Sequence, residues 1–217
     1  MEAFESVWDF LIKGGITMIP LAICSLIGMA IVIDKIIALR LNKVIIPEIV
    51  SVTESIRSKE DIGLALSICQ KHTGPLPNLI TTVLDNRQLE KEELKELVEE
   101  TGRQEIRELE KGLVALETVA GIAPLLGLLG TVIGILRVFN VISEVGVGQA
   151  TALSGGISEA LITTIIGLAI GIPAVVFFNY FTTRAENLVL DIEKYSANLI
   201  RRIKNFRPEE LEFPDAA

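Results

Sequence analysis

Three long segments without a charged residue constrain this chain more than any other feature. They run over Gly14–Ile33, Thr118–Leu136 and Ala160–Thr183 and contain 20, 19 and 24 residues. About 20 apolar residues in a helix cover the roughly 30 Å hydrocarbon core of a bilayer. Because 50% of the 217 residues are hydrophobic and the mean hydropathy is +0.50, we predict an all-α membrane protein with three transmembrane helices rather than a soluble globular domain.

The residues outside these segments argue against several other classes of protein. Residues 1–9 carry three acids and no lysine or arginine, so we expect a retained first helix rather than a cleaved signal peptide. A net charge of −8 without a basic stripe makes nucleic acid an unsuitable partner. The single histidine, His72, gives no basis for a histidine-rich metal site. Cys24 lies in a predicted membrane span and Cys69 in the polar region that follows, so the two cysteines are not expected to meet. We therefore expect no metal, no organic cofactor and no disulfide.

The distribution of lysine and arginine predicts how the three helices are oriented. Twelve of the 20 basic residues lie in 34–117 and six lie from Arg184 onward, whereas residues 140–158 have none. Cytoplasmic flanks of membrane helices collect Lys and Arg, so we predict an outer N-terminus and a cytoplasmic C-terminus. The predicted segments are an outer tail 1–13, transmembrane helix 14–39, cytoplasmic helical region 40–114, transmembrane helix 115–139, outer loop 140–152, transmembrane helix 153–183, and cytoplasmic helix and tail 184–217.

Two of the transmembrane helices are predicted to extend far into the cytoplasm. Apolar residues recur at helical spacing from Gln88 to Val119 without a proline, which predicts one charged helix that continues into the second span. The third span similarly runs on through Glu186–Arg202, and the two extensions could pack as a cytoplasmic bundle. Pro47 and the segment His72–Pro77 divide the rest of the middle region, which we do not expect to be a folded domain of ordinary type.

Small residues recur along both later spans. In lipid, helices associate through close backbone approach at such positions. The pattern therefore predicts packing faces, either within one chain or between subunits. In the second span these positions are Ala120, Gly127, Gly130, Thr131 and Gly134, together with Pro124, which could also kink the helix. In the third span they are Ala160, Gly167 and Gly171.

A few polar residues in these spans have both ordinary and functional interpretations. The hydroxyls of Thr131 and Thr164 either bond to the carbonyl one turn earlier or serve a polar pathway. Glu159 either begins its helix at the membrane interface or faces a bundle interior or watery cavity. Pro173 frees the carbonyl of Ala169, which gives a kink or a polar contact. No Asp or Lys, and at most one Glu, lies deep in any span. If the protein conducts protons, we therefore expect the proton carrier to come from another chain.

Two segments resemble the signature spans of the ExbB/TolQ/MotA family. They are Ala123–Ile135, reading APLLGLLGTVIGI, and Ile157–Ile172, reading ISEALITTIIGLAIGI and followed by Pro173. The resemblance is close over residues 115–185. It implies subunits of proton-driven motors in bacterial inner membranes, with an outer side that is the periplasm.

The same resemblance implies an assembly and roles for individual residues. Five copies would form a ring, with the second and third spans lining a central pore. A single-span partner of the ExbD/TolR/MotB type would sit in that pore and supply a membrane aspartate. Thr131 and Thr164 match the pore threonines of the family, Glu159 matches the glutamate that precedes the second of them, and Pro173 lies in the family's Ile-Pro-Ala-Val element.

Helix geometry leaves one of these assignments open. At 3.6 residues per turn, Glu159 and Thr164 point roughly 140° apart, whereas Thr163 shares the face of Glu159. The motif register favours Thr164, and Thr163 remains the alternative. Three spans with an outer N-terminus resemble ExbB and TolQ, whereas MotA proteins have four spans.

The sequence therefore predicts a non-enzymatic motor subunit. With an ExbD-like partner it would use proton motive force to energise outer-membrane transport through a TonB-type protein. Two alternatives stay open: a TolQ-like subunit that acts with a TolA-like protein in envelope integrity, and a membrane scaffold that conducts no protons. An intramembrane enzyme lacks support because no His, Ser or Asp pair lies at mid-span in catalytic spacing.

Overall fold

The structure, a computed structural model, describes residues 14–56, 59–146 and 150–204. Every regular element within these ranges is an α-helix. The predicted outer tail 1–13 and the chain end after Lys204 lie outside the described residues. The helices are α1 (Met18–Ala38), α2 (Leu41–Val44), α3 (Pro47–Ser55), α4 (Lys59–Cys69), α5 (Pro75–Asp85), α6 (Lys91–Glu110), α7 (Leu113–Val145) and α8 (Ala150–Lys204).

Three helical segments are long and apolar enough to cross a membrane. One is α1, with a mean hydropathy of 2.2, and the others lie within Lys91–Glu144 and Ser154–Lys204, with mean hydropathies of 2.3 and 2.4. Their surfaces expose large aliphatic side chains such as Leu26 and Leu125, as lipid-facing helices do. The prediction of an all-α, multi-pass membrane protein with three spans is confirmed.

The prediction of one helix over Gln88–Val119 is wrong, because the chain leaves the helical conformation at Gly112. Helix α6 ends at Glu110 and α7 begins at Leu113. Gly112 has φ 87° and ψ −17°, which is the left-handed conformation that glycine adopts without steric cost and that commonly ends helices. The extension of the third span is confirmed, since α8 is a single helix of 55 residues with Pro173 inside it.

The left-handed backbone at Gly112 gives a testable consequence. We expect Gly112→Ala to lower the free energy of unfolding by about 1–2 kcal/mol, because a Cβ clashes with the carbonyl in this conformation. A matched control is Gly63→Ala in α4, where a Cβ would meet nothing within 4 Å and alanine gains up to about 1 kcal/mol of helix propensity. Unfolding of the purified chain measures both; equal effects of the two variants would contradict the assigned backbone conformation.

The described residues divide into two compact units. The first contains α1 up to Asp34, all of α7, and α8 up to Tyr180. The second contains residues 35–111 and α8 from Phe181 onward. Helices α1 and α8 thus contribute to both units.

The second unit has a hydrophobic core of its own, so the expectation that the middle region is not an ordinary folded domain is wrong. Helix α5 begins at the Pro75–Pro77 segment and buries an apolar face. Pro47 similarly occupies the first position of α3, where the missing N–H has no helical partner to lose. The least exposed members of this core are Ile49, Leu76, Ile80, Val83, Leu84, Leu94, Leu188, Leu199 and Ile203.

Two lysines of the second unit donate to carbonyls at helix ends or turns. The buried ammonium group of Lys35, in the last turn of α1, donates to the carbonyl of Leu109 at 3.0 Å. Leu109 lies in the last turn of α6, where unpaired carbonyls and the helix dipole favour a cation. Lys204 at the end of α8 donates to the carbonyl of Arg87 at 3.0 Å. These bonds tie the ends of α1 and α8 into the second unit.

Candidate functional site

Helices α7 and α8 pack closely at glycines in the first unit. A Cβ at Gly167 would lie 2.7 Å from the carbonyl oxygen of Ala123 and 2.9 Å from the Cα of Gly127. A Cβ at Gly134 would lie 2.7 Å from the carbonyl oxygen of Gly156. Real Cβ atoms do not approach other atoms this closely, so these positions accept only glycine without a shift of the helices. The small-residue faces therefore meet within one chain.

The two prolines of these spans lie at the same interface or beside it. A Cβ at Gly171 would meet the ring of Pro124, 2.8 Å from its Cδ. Pro173 borders a cavity of about 180 Å³ together with Ala169, and Gly28 of α1 lines its other side. Because Pro173 has no N–H, the carbonyl of Ala169 loses its usual helical donor there.

The hydroxyls of Thr131 and Thr164 meet between the two helices. The two Oγ1 atoms contact each other. Thr131 Oγ1 lies 3.3 Å from the carbonyl oxygen of Gly127 in its own helix and 3.2 Å from that of Ala160 in α8. Thr164 Oγ1 lies 3.3 Å from the carbonyl oxygen of Ala160 and 3.2 Å from that of Gly127. The two hydroxyls thus share the same two carbonyl acceptors, in a nearly symmetric group of four oxygens.

This group has more acceptors than protons. Each hydroxyl carries one proton and can donate one hydrogen bond. Each has two carbonyls and the other hydroxyl within reach, so the protons can change partners by rotation about the C–O bonds. Both threonines are half-buried. Either hydroxyl can therefore rotate its proton toward a group outside this set of four oxygens without a change of side-chain rotamer.

Thr163 lies in a different environment from Thr164. Its side chain is fully buried against Gly130, where an added Cβ would overlap it. Its Oγ1 donates to carbonyls of its own helix, at 2.9 Å from Ala160 and 3.2 Å from Glu159. The structure therefore brings Thr164, and not Thr163, into contact with the hydroxyl of Thr131.

Glu159 forms an ion pair with Arg137 across the same two helices. One guanidinium nitrogen, Nη1, lies 2.7 Å from Oε1 and 2.5 Å from Oε2 of the carboxylate. The Glu159 side chain is 12% exposed and that of Arg137 is 52% exposed. The carboxylate also adjoins the backbone of Gly15, where an added Cβ would overlap it. The carboxylate of Glu159 is thus paired with a cation on α7 and lies beside the chain that precedes α1.

We expect this ion pair to couple the two helices. Arg137→Gln leaves a largely buried carboxylate unpaired and should lower the free energy of unfolding by about 1–2 kcal/mol, less than the 3–5 kcal/mol of a fully buried pair because Arg137 is half exposed. The double variant with Glu159→Gln should lose less than the sum of the two single variants. A double-mutant cycle on unfolding in detergent measures the difference.

An exposed ion pair of the same chain serves as the control. Lys111 and Glu108 lie 3.5 Å apart with side chains 74% and 67% exposed, and such pairs contribute little. Strict additivity at Arg137 and Glu159, as expected for Lys111 and Glu108, would contradict a role in helix coupling.

Arg137 is a site residue that the sequence analysis did not predict. A signal was present in the spacing. Arg137 follows Thr131 by six residues, and Glu159 precedes Thr164 by five. In two antiparallel helices, pairing of the threonines therefore places the arginine and the glutamate at the same level.

Comparison with known proteins shows the family of this chain. The profile of the MotA/TolQ/ExbB proton channel family matches residues 71–194. An ExbB homologue of biopolymer transport from Methanothermobacter thermautotrophicus is 30% identical over 205 residues, covering 94% of this chain and 71% of the relative. The ExbB-like protein 3 of Synechocystis is 28% identical over 209 residues, covering 92% of this chain and 97% of the relative.

A TolQ protein also matches part of this chain. The Tol-Pal system protein TolQ of Pseudomonas aeruginosa is 42% identical over 85 residues, which cover 39% of this chain and 37% of that protein. The family profile covers more than half of the chain, and the match to the ExbB homologue extends over nearly all of it. The chain therefore belongs to the MotA/TolQ/ExbB proton channel family.

Proposed function

We propose that five copies of this chain form a ring in a bacterial inner membrane, with the spans of α7 and α8 lining a central pore. An ExbD/TolR-like single-span protein would occupy the pore, and the motor would act on a TonB-like protein to energise biopolymer transport across the outer membrane. The N-terminus would be periplasmic and the C-terminus cytoplasmic. The proposal rests on one observation, the contact between the hydroxyls of Thr131 and Thr164, in a chain that belongs to a proton channel family.

The chemistry of the site suits transient binding of a carboxylate from another chain. A protonated carboxyl is neutral and can move past apolar side chains, whereas an ionised one requires hydrogen-bond donors in such surroundings. The hydroxyls of Thr131 and Thr164 supply donors that are free to turn. Loss of the proton would hold the partner's carboxylate at these hydroxyls, and gain of a proton would release it, so proton entry and exit would bias stepping of the partner inside the ring.

The titratable group that moves is proposed to come from the partner. The segments Thr118–Leu136 and Ala160–Thr183 contain no charged residue. Glu159 directly precedes the second segment and is paired with Arg137. We assign this pair to the periplasmic entrance, where the carboxylate attracts protons and the arginine limits the net charge of the entrance.

Native mass spectrometry of the chain, purified with and without a coexpressed single-span partner, tests the assembly. We expect five copies of this chain and a smaller number of partner copies in the same complex. A monomer or dimer that is indifferent to the partner would contradict the proposal and favour a membrane scaffold held together by the glycine contacts.

A TolQ-like role is the second candidate. The match of part of this chain to a TolQ protein, at 42% identity over 85 residues, supports it. The two roles differ in the partners that they require. Coexpression with an ExbD and TonB pair or with a TolR and TolA pair, followed by purification on this chain, distinguishes them by which pair is retained.

A further inference from the structure

The second unit contains a cavity of about 410 Å³ far from the hydroxyl site in sequence. Helices α6 and α8 form its walls and Leu79 of α5 contributes to its floor. Its size falls within the roughly 300–1,000 Å³ of small-molecule sites. The apolar residues that line it are Leu79, Val98, Ile106, Val189, Ile192, Ala197 and Ile200.

Part of the apolar lining is buried and part is open to solvent. Leu79, Val98, Ile192 and Ile200 are all less than a tenth exposed. Ile106 and Val189 are half-buried and Ala197 is exposed. A small molecule that enters between α6 and α8 fits this burial better than a macromolecule does.

One buried polar atom in this lining has no hydrogen-bond partner. The hydroxyl of Ser196, on the cavity side of α8, is only 2% exposed and finds no partner among the residues that the structure describes. A buried hydroxyl without a partner costs free energy. The unpaired hydroxyl thus points to a ligand with one hydrogen-bonding group.

Four of the five charged side chains around the cavity balance each other. Lys95 and Arg103 contribute two positive charges, and Glu99 and Glu193 contribute two negative charges, all on exposed residues. The fifth charged residue, Glu105, accepts a hydrogen bond from the side-chain amide of Asn78 at 2.7 Å and leaves the rim with a net charge of −1. The buried residues beside Ser196 carry no charge that could pair with an ionic ligand, and burial of an unpaired charge is costly.

We propose that this cavity binds a small neutral molecule with an apolar body and a single hydroxyl or carbonyl group, which pairs with the hydroxyl of Ser196. Nothing in this proposal depends on the proton channel, because the cavity lies entirely in the second unit. The site would couple the presence of such a molecule to the stability of the contact between α6 and α8.

Binding of hexan-1-ol to the full-length chain in lipid nanodiscs tests the proposal. We expect hexan-1-ol to raise the Tm of the unaltered chain and hexanoate or hexylamine to raise it less. Ser196→Ala keeps the cavity and removes the hydroxyl, so the affinity for hexan-1-ol should fall about fivefold, the equivalent of one hydrogen bond. Ser196→Leu removes the hydroxyl and narrows the cavity beside it, so it should reduce the shift further than Ser196→Ala does.

Ser67→Ala is the matched control, since the exposed Ser67 hydroxyl of the same unit donates to the carbonyl of Leu64 at 2.8 Å. This variant should bind hexan-1-ol as the unaltered chain does. An identical shift in all variants would mean partition into the bilayer and would overturn the proposal. Tighter binding of hexanoate or hexylamine, or a charged phospholipid retained at this position in native mass spectrometry, would overturn it as well. Proton flux is not measured in these assays, so failure here leaves the proposed channel function untouched.

Discussion

Thr131→Val and Thr164→Val are each expected to reduce partner-dependent proton flux by about tenfold or more, while the chain still folds and assembles. Valine has nearly the same shape as threonine but lacks the hydroxyl. Each substitution therefore removes one donor from the group formed with the carbonyls of Gly127 and Ala160, and one lost hydrogen bond to a charged group is worth about 1.5–3 kcal/mol. Flux into proteoliposomes that contain the chain and its partner measures the effect.

Three further variants make this prediction specific. Thr118→Val on the same helix removes an exposed hydroxyl that bonds only to the carbonyl of Val114 at 2.8 Å and should leave flux unchanged. Thr163→Val removes a hydroxyl that bonds to its own helix and should also retain flux, whereas Thr131→Ser keeps the hydroxyl and should restore it. Full flux in the Thr131 and Thr164 valine variants, or its loss in the Thr163 variant alone, would contradict the assignment.

The second large effect is expected at the closest approach of α7 and α8. Gly167→Val places side-chain atoms against the backbone of Ala123 and Gly127, and neither backbone can move without separating the helices. Overpacking of this kind costs about 1–3 kcal/mol or more, which corresponds to a fall in Tm of roughly 5–10 °C for a chain of this length. Thermal unfolding of the purified chain measures the fall.

Gly121→Val provides the control on α7, because a Cβ there would meet nothing within 4 Å. Its effect should be confined to the difference in helix propensity, a few tenths of a kcal/mol. If Gly167→Val were tolerated as well as Gly121→Val, the close contact of the two helices within one chain would be disproved. A loss of the proposed pentamer with an unchanged Tm would instead place the contact between subunits.

Features that depend on local composition were predictable from the sequence. The three spans follow from long uncharged segments, and the continuation of α8 to Lys204 follows from apolar residues at helical spacing. Membership of a proton channel family also confirms the prediction that the chain is not an enzyme. Gly112 is the local feature that was misjudged: the apolar periodicity continues across it, but a glycine after a charged last turn is itself a typical helix end.

Features that depend on which residues of two helices face each other were out of reach. The motif indicated Thr131 and Thr164. That their hydroxyls share two carbonyl acceptors depends on the antiparallel register of α7 and α8, which the motif does not give. The same register pairs Arg137 with Glu159. The cavity beside Ser196 is lined by residues of α6 and α8 and by Leu79 of α5. The residue pattern along any one of these helices does not predict a cavity between them.

The most direct test asks whether proton flux requires both this chain and its single-span partner. Flux is measured in proteoliposomes that contain the chain alone, the partner alone, or both. The account predicts flux only when both proteins are present, because this chain supplies the hydroxyls of Thr131 and Thr164 while the moving carboxyl belongs to the partner. Equal flux through the chain alone would contradict this division of roles. Absence of flux from a correctly assembled complex would contradict the channel itself.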